Sequence, residues 1–241
     1  MSYLEGTIGR RRIYLMRHGH VDYFAPEVVE SKDPRLARLT ERGTEEIIAA
    51  GQALRDVSFD VVISSGLLRT RQTLELVMDW QNGEVPDTEQ DQRFEELRSG
   101  TFIKFESREQ LAATMTFQFE NAANEGATFL DGGELFSEGL DRSIEGLQAL
   151  IDRPGWKTAL IVAHEGINRI LLSWFCNAGL AGSASFEQDT GCINILDVDL
   201  VPTDDGHKIE RKIIKSVNLT PLNYEKNGMN LRSLEAIFSQ E

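Results

Sequence analysis

Cysteine is scarce in this 241-residue chain, which has only two. Two cysteines cannot form the disulfide framework of a small secreted protein, so Cys176 and Cys192 are predicted to be small core residues in a reducing compartment. The chain also lacks an apolar segment after its first methionine and any apolar run long enough to cross a bilayer. We therefore expect a protein of the cytoplasm, with neither a secretion signal nor a membrane anchor.

Positive charge is scarce as well, because 25 lysines and arginines face 39 acidic residues and give a formal net charge of −14. A chain this acidic cannot easily present a broad basic face, so neither nucleic acid nor an anionic membrane is expected as a partner. Its one dense basic run, residues 10–12, is predicted to be the solvated start of a strand. No stretch rich in proline, glycine and serine divides the chain, which predicts a single domain over residues 1–241.

The sequence does contain three apolar runs that end in residues able to hold a phosphate. In open α/β sheets, ligands collect at the carboxyl ends of the strands, where the N–H groups of helix starts also point. The pattern predicts strands that bring two arginines and two histidines to one phosphate-binding crevice. Residues 13–16 lead into Arg17-His18-Gly19, residues 60–63 lead into Ser64-Ser65 with Arg69 beyond, and residues 159–163 lead into His164-Glu165-Gly166.

Apolar residues at helical spacing lie between these runs. Because strands and helices alternate along the chain, the expected architecture is α/β, with a mostly parallel central sheet and helices on both faces. The predicted helices cover residues 41–57 with Thr40 as cap, residues 67–80, residues 137–151 with Ser137 as cap, and a segment after His164 that is apolar nearly all round.

Beyond Cys192 the period of the apolar residues changes to two. Leu196, Val198 and Leu200 alternate with Asp197 and Asp199, and a polar turn then leads into a partner strand. This pattern predicts a C-terminal hairpin at the edge of the sheet. Its acids and lysines are expected on the outer face, where they would guard the edge against pairing with another chain.

Three strings of this chain, IYLMRHG, SSGLLRTRQT and LIVAHEG, resemble in this order the signatures of the histidine phosphatase family, the phosphoglycerate-mutase-like group. The resemblance covers residues 13–200. It implies a reaction through a phosphohistidine intermediate, without a metal or other cofactor. By the same resemblance, His18 is the nucleophile, Arg17 and Arg69 bind the phosphate, and His164 stands against the phosphoryl oxygens.

The resemblance also indicates where the acid and base of the reaction lies. The family carries this carboxylate between the second and third strings, in a segment of leucine-x-Glu type that is followed four residues later by glycine. Phe94-Glu95-Glu96-Leu97 with Gly100 fits this register and puts the role on Glu96, while Glu95 is the competing assignment. A Gly-Gly-Glu turn ends in Glu134, which either braces a phosphate-binding arginine or is a surface carboxylate.

Two positions depart from the mutases of the family, in which Arg-His-Gly is followed by glutamate and, a few residues later, by asparagine. His20 stands at the first position and Phe24 near the second, and the missing string favours hydrolysis over transfer. His20 either touches the substrate or faces solvent in a turn, and Phe24 with Tyr23 would form an apolar wall. Gly166 permits a close approach between backbone and ligand.

Two further segments lie outside the core pattern, and the first of them fits neither a strand nor a sheet-packing helix. In relatives, the region of residues 100–136 folds over the site as a lid. Here it is rich in phenylalanine, and packing of these rings onto the domain is favoured over contact with substrate. Residues 221–241 form a C-terminal extension with a short amphipathic helix, which either covers the core or meets a second copy of the chain in a homodimer.

The residue types suit phosphoryl chemistry. A phosphate ester needs positive charge around its oxygens, which the always-charged fork of arginine supplies. It needs a neutral nucleophile, and the charges of Arg17 and Arg69 should lower the pKa of His18 and keep that ring neutral. It also needs a proton donor for the leaving alcohol, so the pKa of Glu96 should be raised.

His18, His20 and His164 also suggest a metal hypothesis, with Glu96 or Asp22 completing the ligand set. Two arginines suit an anion better than a cation, so no metal is predicted. The leading hypothesis is a hydrolase that acts on the phosphomonoester of a small metabolite through a phosphohistidine. The alternatives are a phosphoglycerate-type mutase and a non-catalytic binder of phosphorylated ligands. The physiological substrate is left open.

Overall fold

The computed structural model of the protein describes residues 8–31, 33–100, 114, 117–204 and 206–226. Its centre is a six-stranded sheet. The strands are β1 (Gly9–Arg17), β2 (Val61–Ser64), β3 (Thr88–Gln90), β4 (Thr158–Ala163), β5 (Ile193–Thr203) and β6 (Gly206–Leu219). They lie in the order β3-β2-β4-β1-β5-β6.

The first four strands are parallel, because β4 pairs in parallel with β1 and β2, and β2 does so with β3. The last two strands form an antiparallel hairpin that adds to β1 through β5. The register sets Arg17 beside Ala163 and Ser64 beside Val162, so three strands end level with one another. The predicted mostly parallel sheet with a C-terminal hairpin at its edge is confirmed.

Five α-helices are described: α1 (Pro26–Ser31), α2 (Glu41–Leu54), α3 (Leu68–Met78), α4 (Phe136–Ile151) and α5 (Glu165–Phe175). Helices α2 and α3 pack on the face of the sheet that carries Tyr14 and Met16. Helices α4 and α5 pack on the opposite face, which carries Ile13 and Leu15. The prediction of helices on both faces is confirmed. None of these five helices combines the length and the apolar composition that a bilayer crossing requires.

One helix start follows the sequence prediction and another does not. Thr40 caps α2, because its side chain accepts a hydrogen bond from the N–H of Gly43 at 3.1 Å. The prediction that Ser137 caps the third large helix is wrong, since α4 begins at Phe136 and Leu135 takes the cap position without a side-chain bond. Phe136 is buried in the core, and its packing there outweighs the preference of serine for a cap.

The acids of the hairpin do not guard an outer face, and this prediction is wrong. Asp197 is fully buried and accepts hydrogen bonds from Arg12 at 2.7 and 2.9 Å. Asp199 is paired in the same way with Arg10, at 2.8 and 3.0 Å. The antiparallel register sets Arg10 and Arg12 directly opposite these acids, so two arginines of the basic run form ion pairs while their side chains stay 38% and 40% exposed.

Predictions for the cysteines and the two unusual segments have mixed outcomes. Cys192 is buried as predicted, but Cys176 is exposed just after the end of α5. In the described part of the lid segment, the ring of Phe119 lies 5.5 Å from that of Phe136, so this part packs onto the core. Residues 101–113, 115–116 and 227–241 lie outside the described residues, and the lid and homodimer hypotheses stay predictions there.

The connection between β1 and α2, residues 21–39, builds a small core of its own. Val21, Val28 and Ala37 are buried against one another, and Val21 makes an antiparallel bridge to Leu39. The segment contains α1 and a 3-10 turn at Pro34–Leu36. The carbonyl of Pro34 contacts Arg69, so the segment reaches the edge where the parallel strands end.

Candidate active site

Two histidines meet where β1 and β4 end. His18 follows β1 and His164 follows β4, and the two strands are neighbours in the sheet. The ring centroids are 5.2 Å apart with an angle of 64° between the planes. Both side chains are buried, with 1% and 0% exposure. The structure thus brings together the two histidines that the sequence singled out.

One ring nitrogen of His18 is bare, which means that it carries no proton and keeps its lone pair. Its Nδ1 lies 2.8 Å from the carbonyl oxygen of Gly19, and because a carbonyl only accepts, Nδ1 carries the proton of the neutral ring. Nε2 therefore has a free lone pair and accepts a hydrogen bond from Nε of Arg69 at 3.2 Å. Burial, followed by the charges of Arg69 and Arg17, lowers the pKa of His18 well below its usual value.

In His164 the nitrogen with a hydrogen-bond partner that fixes the ring is Nε2, whereas in His18 it is Nδ1. The Nε2 of His164 lies 2.8 Å from Oγ of Ser65, which follows β2. Its Nδ1 is buried and finds no hydrogen-bond partner among the residues that the structure describes. Burial and the nearby charge of Arg69 lower the pKa of His164 well below its usual value. Both effects favour the neutral form of this imidazole.

The two arginines reach the histidines from different elements. Arg69 lies on the first turn of α3, and its Nη1 donates to the carbonyl of Pro34 in the 21–39 segment at 3.3 Å. Its guanidinium also lies 5.7 Å from the ring centre of Tyr23. Arg17 ends β1 and donates from Nη1 to the carbonyl of Gln188. Both arginine side chains are almost fully buried.

Arg17 is held by an acid to which the sequence alone assigns no role. Its Nη2 lies 3.1 Å from Oε2 of Glu165, while Oε1 of Glu165 accepts hydrogen bonds from Arg169 at 2.8 and 3.0 Å. The Nε of Arg17 is buried and has no partner in the described part of the chain. The spacing of four residues on α5 could have predicted the ion pair between Glu165 and Arg169 from the sequence. Nothing in the sequence links Glu165 to Arg17.

Glu96 and Glu95 occupy different environments. The carboxyl group of Glu96 accepts hydrogen bonds from the N–H groups of Leu97, Gly166 and Ile167, at 2.9, 3.1 and 3.3 Å. It therefore lies at the start of α5, next to His164. Burial raises its pKa, against the opposing effect of these N–H bonds.

Glu95 instead forms an ion pair with Arg35 at 3.2 Å, and the Arg35 side chain is 59% exposed. Of the two competing carboxylates, Glu96 is the one that contacts the first turn of α5, the helix for which His164 takes the cap position. The catalytic role of Glu96 remains a proposal.

Glu134 contacts neither of the two phosphate-site arginines. It accepts two hydrogen bonds from Arg142 of α4, at 2.6 and 2.9 Å, and Arg142 also donates to the carbonyl of Glu96 at 3.2 Å. Glu134 is neither a surface carboxylate nor a direct brace of Arg17 or Arg69. It supports the loop that carries Glu96.

The three candidate pocket residues have different surroundings. His20 is half-buried at the start of α2, with Nδ1 2.9 Å from the hydroxyl of Thr40. Phe24 is 51% exposed, and it is Tyr23 whose ring faces Arg69. A Cβ at Gly166 would lie 2.6 Å from Oε1 of Glu96, so glycine here makes room for that carboxyl group. Contact of these residues with substrate stays a prediction.

Metal-type ligands do not cluster around the histidines. Within the described ranges, no group of three or more histidine, cysteine, aspartate and glutamate side chains is arranged to hold a metal ion. Arg69 contacts His18, the charge of Arg17 also acts on that ring, and the unpartnered Nε of Arg17 is a donor. Donors and positive charge of this kind suit an anion with several oxygens.

Fold and site together define a class of protein: an α/β fold with a mostly parallel sheet, whose strand ends bring together two buried histidines and two buried arginines. The family model described as the histidine phosphatase superfamily (branch 1) matches residues 13–210 of the chain. The chain belongs to that superfamily, as the resemblance of its three strings implied.

Individual relatives fit the same assignment. Adenosylcobalamin/alpha-ribazole phosphatase of Salmonella typhimurium is 28% identical over 193 residues, which are 78% of this chain and 90% of that protein. The probable phosphoglycerate mutase GpmB of Erwinia tasmaniensis is 29% identical over 164 residues, 67% of this chain and 73% of that protein. A mycobacterial glucosyl-3-phosphoglycerate phosphatase has a similar solved structure, with TM-score 0.69 and 19% identity over 87% of this chain and 99% of the other. The last likeness shows a shared fold.

Proposed function

We propose that the protein hydrolyses the phosphomonoester of a small metabolite through a phosphohistidine on His18, without a metal ion or other cofactor. The observation that carries the proposal is the bare Nε2 of a buried, neutral His18, which accepts a hydrogen bond from Arg69. A neutral imidazole with a free lone pair is a competent nucleophile at neutral pH. The adjacent guanidinium is suited to the oxygens of the group that would be attacked.

In the first step, Nε2 of His18 attacks phosphorus, the bond from phosphorus to the ester oxygen breaks, and Glu96 gives its proton to the leaving alcohol. In the second step, Glu96 takes a proton from water, and the water oxygen attacks phosphorus as the bond to Nε2 breaks. Inorganic phosphate then leaves. The raised pKa of Glu96 supports its role as donor, because a buried carboxyl group keeps its proton more readily.

The buried atoms without partners support the position of the phosphoryl group. Nε of Arg17 and Nδ1 of His164 lack a hydrogen-bond partner among the described residues. Unpartnered polar atoms are costly in a protein interior. The oxygens of a phosphoryl group between the histidines would accept hydrogen bonds from Nε of Arg17 and, once it is protonated, from Nδ1 of His164. Arg69 would turn its Nε from His18 to the same group. Phosphoryl transfer depends mostly on such positioning and charge.

The first experiment measures hydrolysis of p-nitrophenyl phosphate by the purified protein in excess EDTA. We expect turnover, together with an acid-labile, base-stable phosphoryl adduct when the reaction is quenched rapidly. Loss of activity in EDTA that returns with a divalent metal would overturn the metal-free mechanism. Binding of tungstate without any turnover would instead indicate the non-catalytic binder.

A second candidate function is a phosphoglycerate-type mutase, which the similarity to GpmB of Erwinia tasmaniensis favours. A mutase must keep its phosphorylated form and return the group to substrate, whereas a hydrolase loses it to water. Conversion of 3-phosphoglycerate to 2-phosphoglycerate, primed by bisphosphoglycerate, would establish the mutase. We expect hydrolysis to exceed isomerisation.

The substrate is sought with a panel built on the relatives. Alpha-ribazole phosphate, glucosyl-3-phosphoglycerate, phosphoglycerates, sugar phosphates, nucleotides and phosphoamino acids cover the named activities of relatives and the common phosphomonoesters. We expect a preference among these compounds in kcat/KM, because residues around the site rather than the reactive centre set selectivity. Location in the cytoplasm and the absence of a nucleic-acid partner stay predictions.

A further inference from the structure

A chain of hydroxyl groups leads from α3 to His164. The hydroxyl of Thr70 donates to the carbonyl of Leu67 at 2.8 Å. Oγ of Ser65 lies 3.0 Å from that hydroxyl and 2.8 Å from Nε2 of His164. Ser65, Thr70 and His164 are all buried, so this chain is shielded from solvent.

The hydrogen bonds of Thr70 and Ser65 determine which tautomer His164 adopts. The only proton of the Thr70 hydroxyl points to Leu67, because a carbonyl cannot donate. Ser65 must then donate its own hydroxyl proton to Thr70, which leaves only lone pairs for the contact with His164. That contact is a hydrogen bond only if Nε2 of His164 carries a proton. In the neutral ring, Nδ1 is therefore bare.

The two histidines thus carry their ring protons on opposite nitrogens. Gly19 holds the proton of His18 on Nδ1, which bares Nε2. Ser65 holds the proton of His164 on Nε2, which bares Nδ1. A bare Nε2 can attack phosphorus, but a bare Nδ1 repels the oxygen of a phosphoryl group unless it first gains a proton.

We propose that Ser65 is a positioning residue that fixes the Nε2–H tautomer of His164, so that Nδ1 must take up a proton when a phosphoryl dianion binds. The inference rests on the proposed function, because it assumes that the phosphoryl group sits between the two histidines. The proton comes from solvent or from the monoanionic form of the substrate, and His164 then donates it in a hydrogen bond to a phosphoryl oxygen.

The charged groups around His164 explain why the proton arrives only with the ligand. Arg69 of α3, Arg17 of β1 and Arg142 of α4 oppose a positive charge on the ring, and so would any positive charge on His18, which follows β1. Glu96 is protonated and therefore neutral at the start of the first step, so it does not offset these positive charges. A dianion adds two negative charges beside His164, which raises the pKa of the ring in the complex.

The test is nitrogen-15 NMR of the full-length protein labelled at histidine, since the chain has only four histidines. The His164 signals are assigned by their loss in His164→Asn. In the free protein we expect protonated Nε2 and bare Nδ1 for His164, and the reverse for His18. Addition of tungstate, an unreactive oxyanion that remains dianionic near neutral pH, should protonate Nδ1 of His164 as well.

Ser65→Ala should leave His164 as a mixture of tautomers and lower kcat/KM by ~10- to 100-fold, the usual loss when the group that orients a functional histidine is removed. Ser65→Thr keeps the hydroxyl and should restore the single tautomer. Ser143→Ala is the matched control, because it also removes a buried hydroxyl, in this case one that donates to the carbonyl of Gly139 at 2.7 Å. It should change neither the tautomer nor the rate.

A free protein with protonated Nδ1 on His164, a tungstate complex in which that Nδ1 stays bare, or an unchanged tautomer in Ser65→Ala would each overturn the inference. These readouts need no turnover. Failure of the proposed function is recognised separately, by the absence of p-nitrophenyl phosphate hydrolysis and of a trapped adduct.

Discussion

One strand carries two kinds of arginine. At the start of β1, Arg12 makes a bidentate pair with Asp197 at 2.7 and 2.9 Å, and its side chain is 40% exposed. At the end of the same strand, Arg17 is buried, touches Glu165 through Nη2, and has an Nε without a partner in the described residues. Arg12 thus uses one whole edge of its guanidinium within the protein, whereas Arg17 keeps one donor without a partner within the described ranges.

The difference teaches how to tell a structural cation from a functional one. A buried donor without a partner costs free energy. Nε of Arg11 also lacks a hydrogen-bond partner among the described residues, but that guanidinium lies 5.7 Å from the ring centre of Trp156, whereas Nε of Arg17 lies at the strand end beside the two histidines. A bidentate pair such as that of Arg12 instead satisfies the whole edge of the guanidinium and leaves nothing for a ligand. Changes at the end of β1 should therefore affect turnover, and changes at its start should affect stability.

The largest expected effect is at the end of β1. His18→Ala should abolish turnover, because it removes the deprotonated Nε2 that Arg69 contacts and that would attack phosphorus. The measurement is steady-state hydrolysis of p-nitrophenyl phosphate, with the melting temperature as the check on folding. Turnover within tenfold of the unchanged protein would contradict the assignment of the nucleophile.

Glu96→Gln should lower kcat/KM for alkyl phosphates by about 10²–10⁴, the usual contribution of a general acid. The loss should be smaller for p-nitrophenyl phosphate, whose phenolate leaves without help. Glu95→Gln is the matched control, since its partner is the exposed Arg35, and its rate should stay near normal. Equal losses on both substrates would move the acid role to another group.

Arg17→Lys and Arg12→Lys compare the two ends of the strand with the same substitution. Arg17→Lys should reduce kcat/KM by about 10²–10³, as does loss of one well-placed donor at a developing charge. Arg12→Lys should leave kcat/KM unchanged. If Arg12→Lys slows turnover as much as Arg17→Lys does, the distinction between the two arginines fails.

Asp197→Ala tests the other half of the comparison. It removes the acceptor of a charged hydrogen-bond pair, and we expect a decrease in the free energy of unfolding of about 1–3 kcal/mol. Urea unfolding measures this change, and kcat/KM should be unaffected. A catalytic defect in a stably folded Asp197→Ala protein would show that the start of β1 communicates with the site.

The smallest expected effect is a shift in the pH profile of kcat/KM. Because burial lowers the pKa of His18, the ring stays neutral below its usual range, and the acid limb should lie below about pH 6.5. Because burial raises the pKa of Glu96, the carboxyl group keeps its proton above its usual range, and the rate falls as the pH rises through this raised value. An acid limb above pH 7 would contradict the neutral His18.

The strand ends could be predicted from the sequence because each chemical group comes directly after an apolar run. His18, Arg17 and His164 each lie within a residue of a strand end, and parallel strands bring such ends together at one edge. The sequence therefore predicts the site residues as one group without any knowledge of their distances. Their catalytic roles stay predictions.

Contacts between distant segments could not be predicted. The alternation of apolar residues in β5 sets Asp197 on the face opposite Leu196 but does not reveal its partner. That partner, Arg12, lies 185 residues away and becomes visible only through the register of β1 and β5. The sequence leaves the choice between Glu95 and Glu96 open for the same reason, because it depends on where the start of α5 lies relative to the loop.

Local preferences gave way to packing in two places. Ser137 is a good cap by residue type, yet burial of Phe136 moves the start of α4. Cys176 continues the apolar pattern of α5, yet the helix ends at Phe175 and leaves the thiol exposed. The period of the apolar residues predicts which face a residue occupies inside a helix or strand, but it does not predict where the element begins or ends.

The carboxylate of Glu165 bears on how the product leaves the site. It holds Nη2 of Arg17 at 3.1 Å and shares its charge with Arg169, so it competes with any anion for the same guanidinium. In the proposed reaction, this competition should weaken the binding of inorganic phosphate to Arg17 and so favour release of the product.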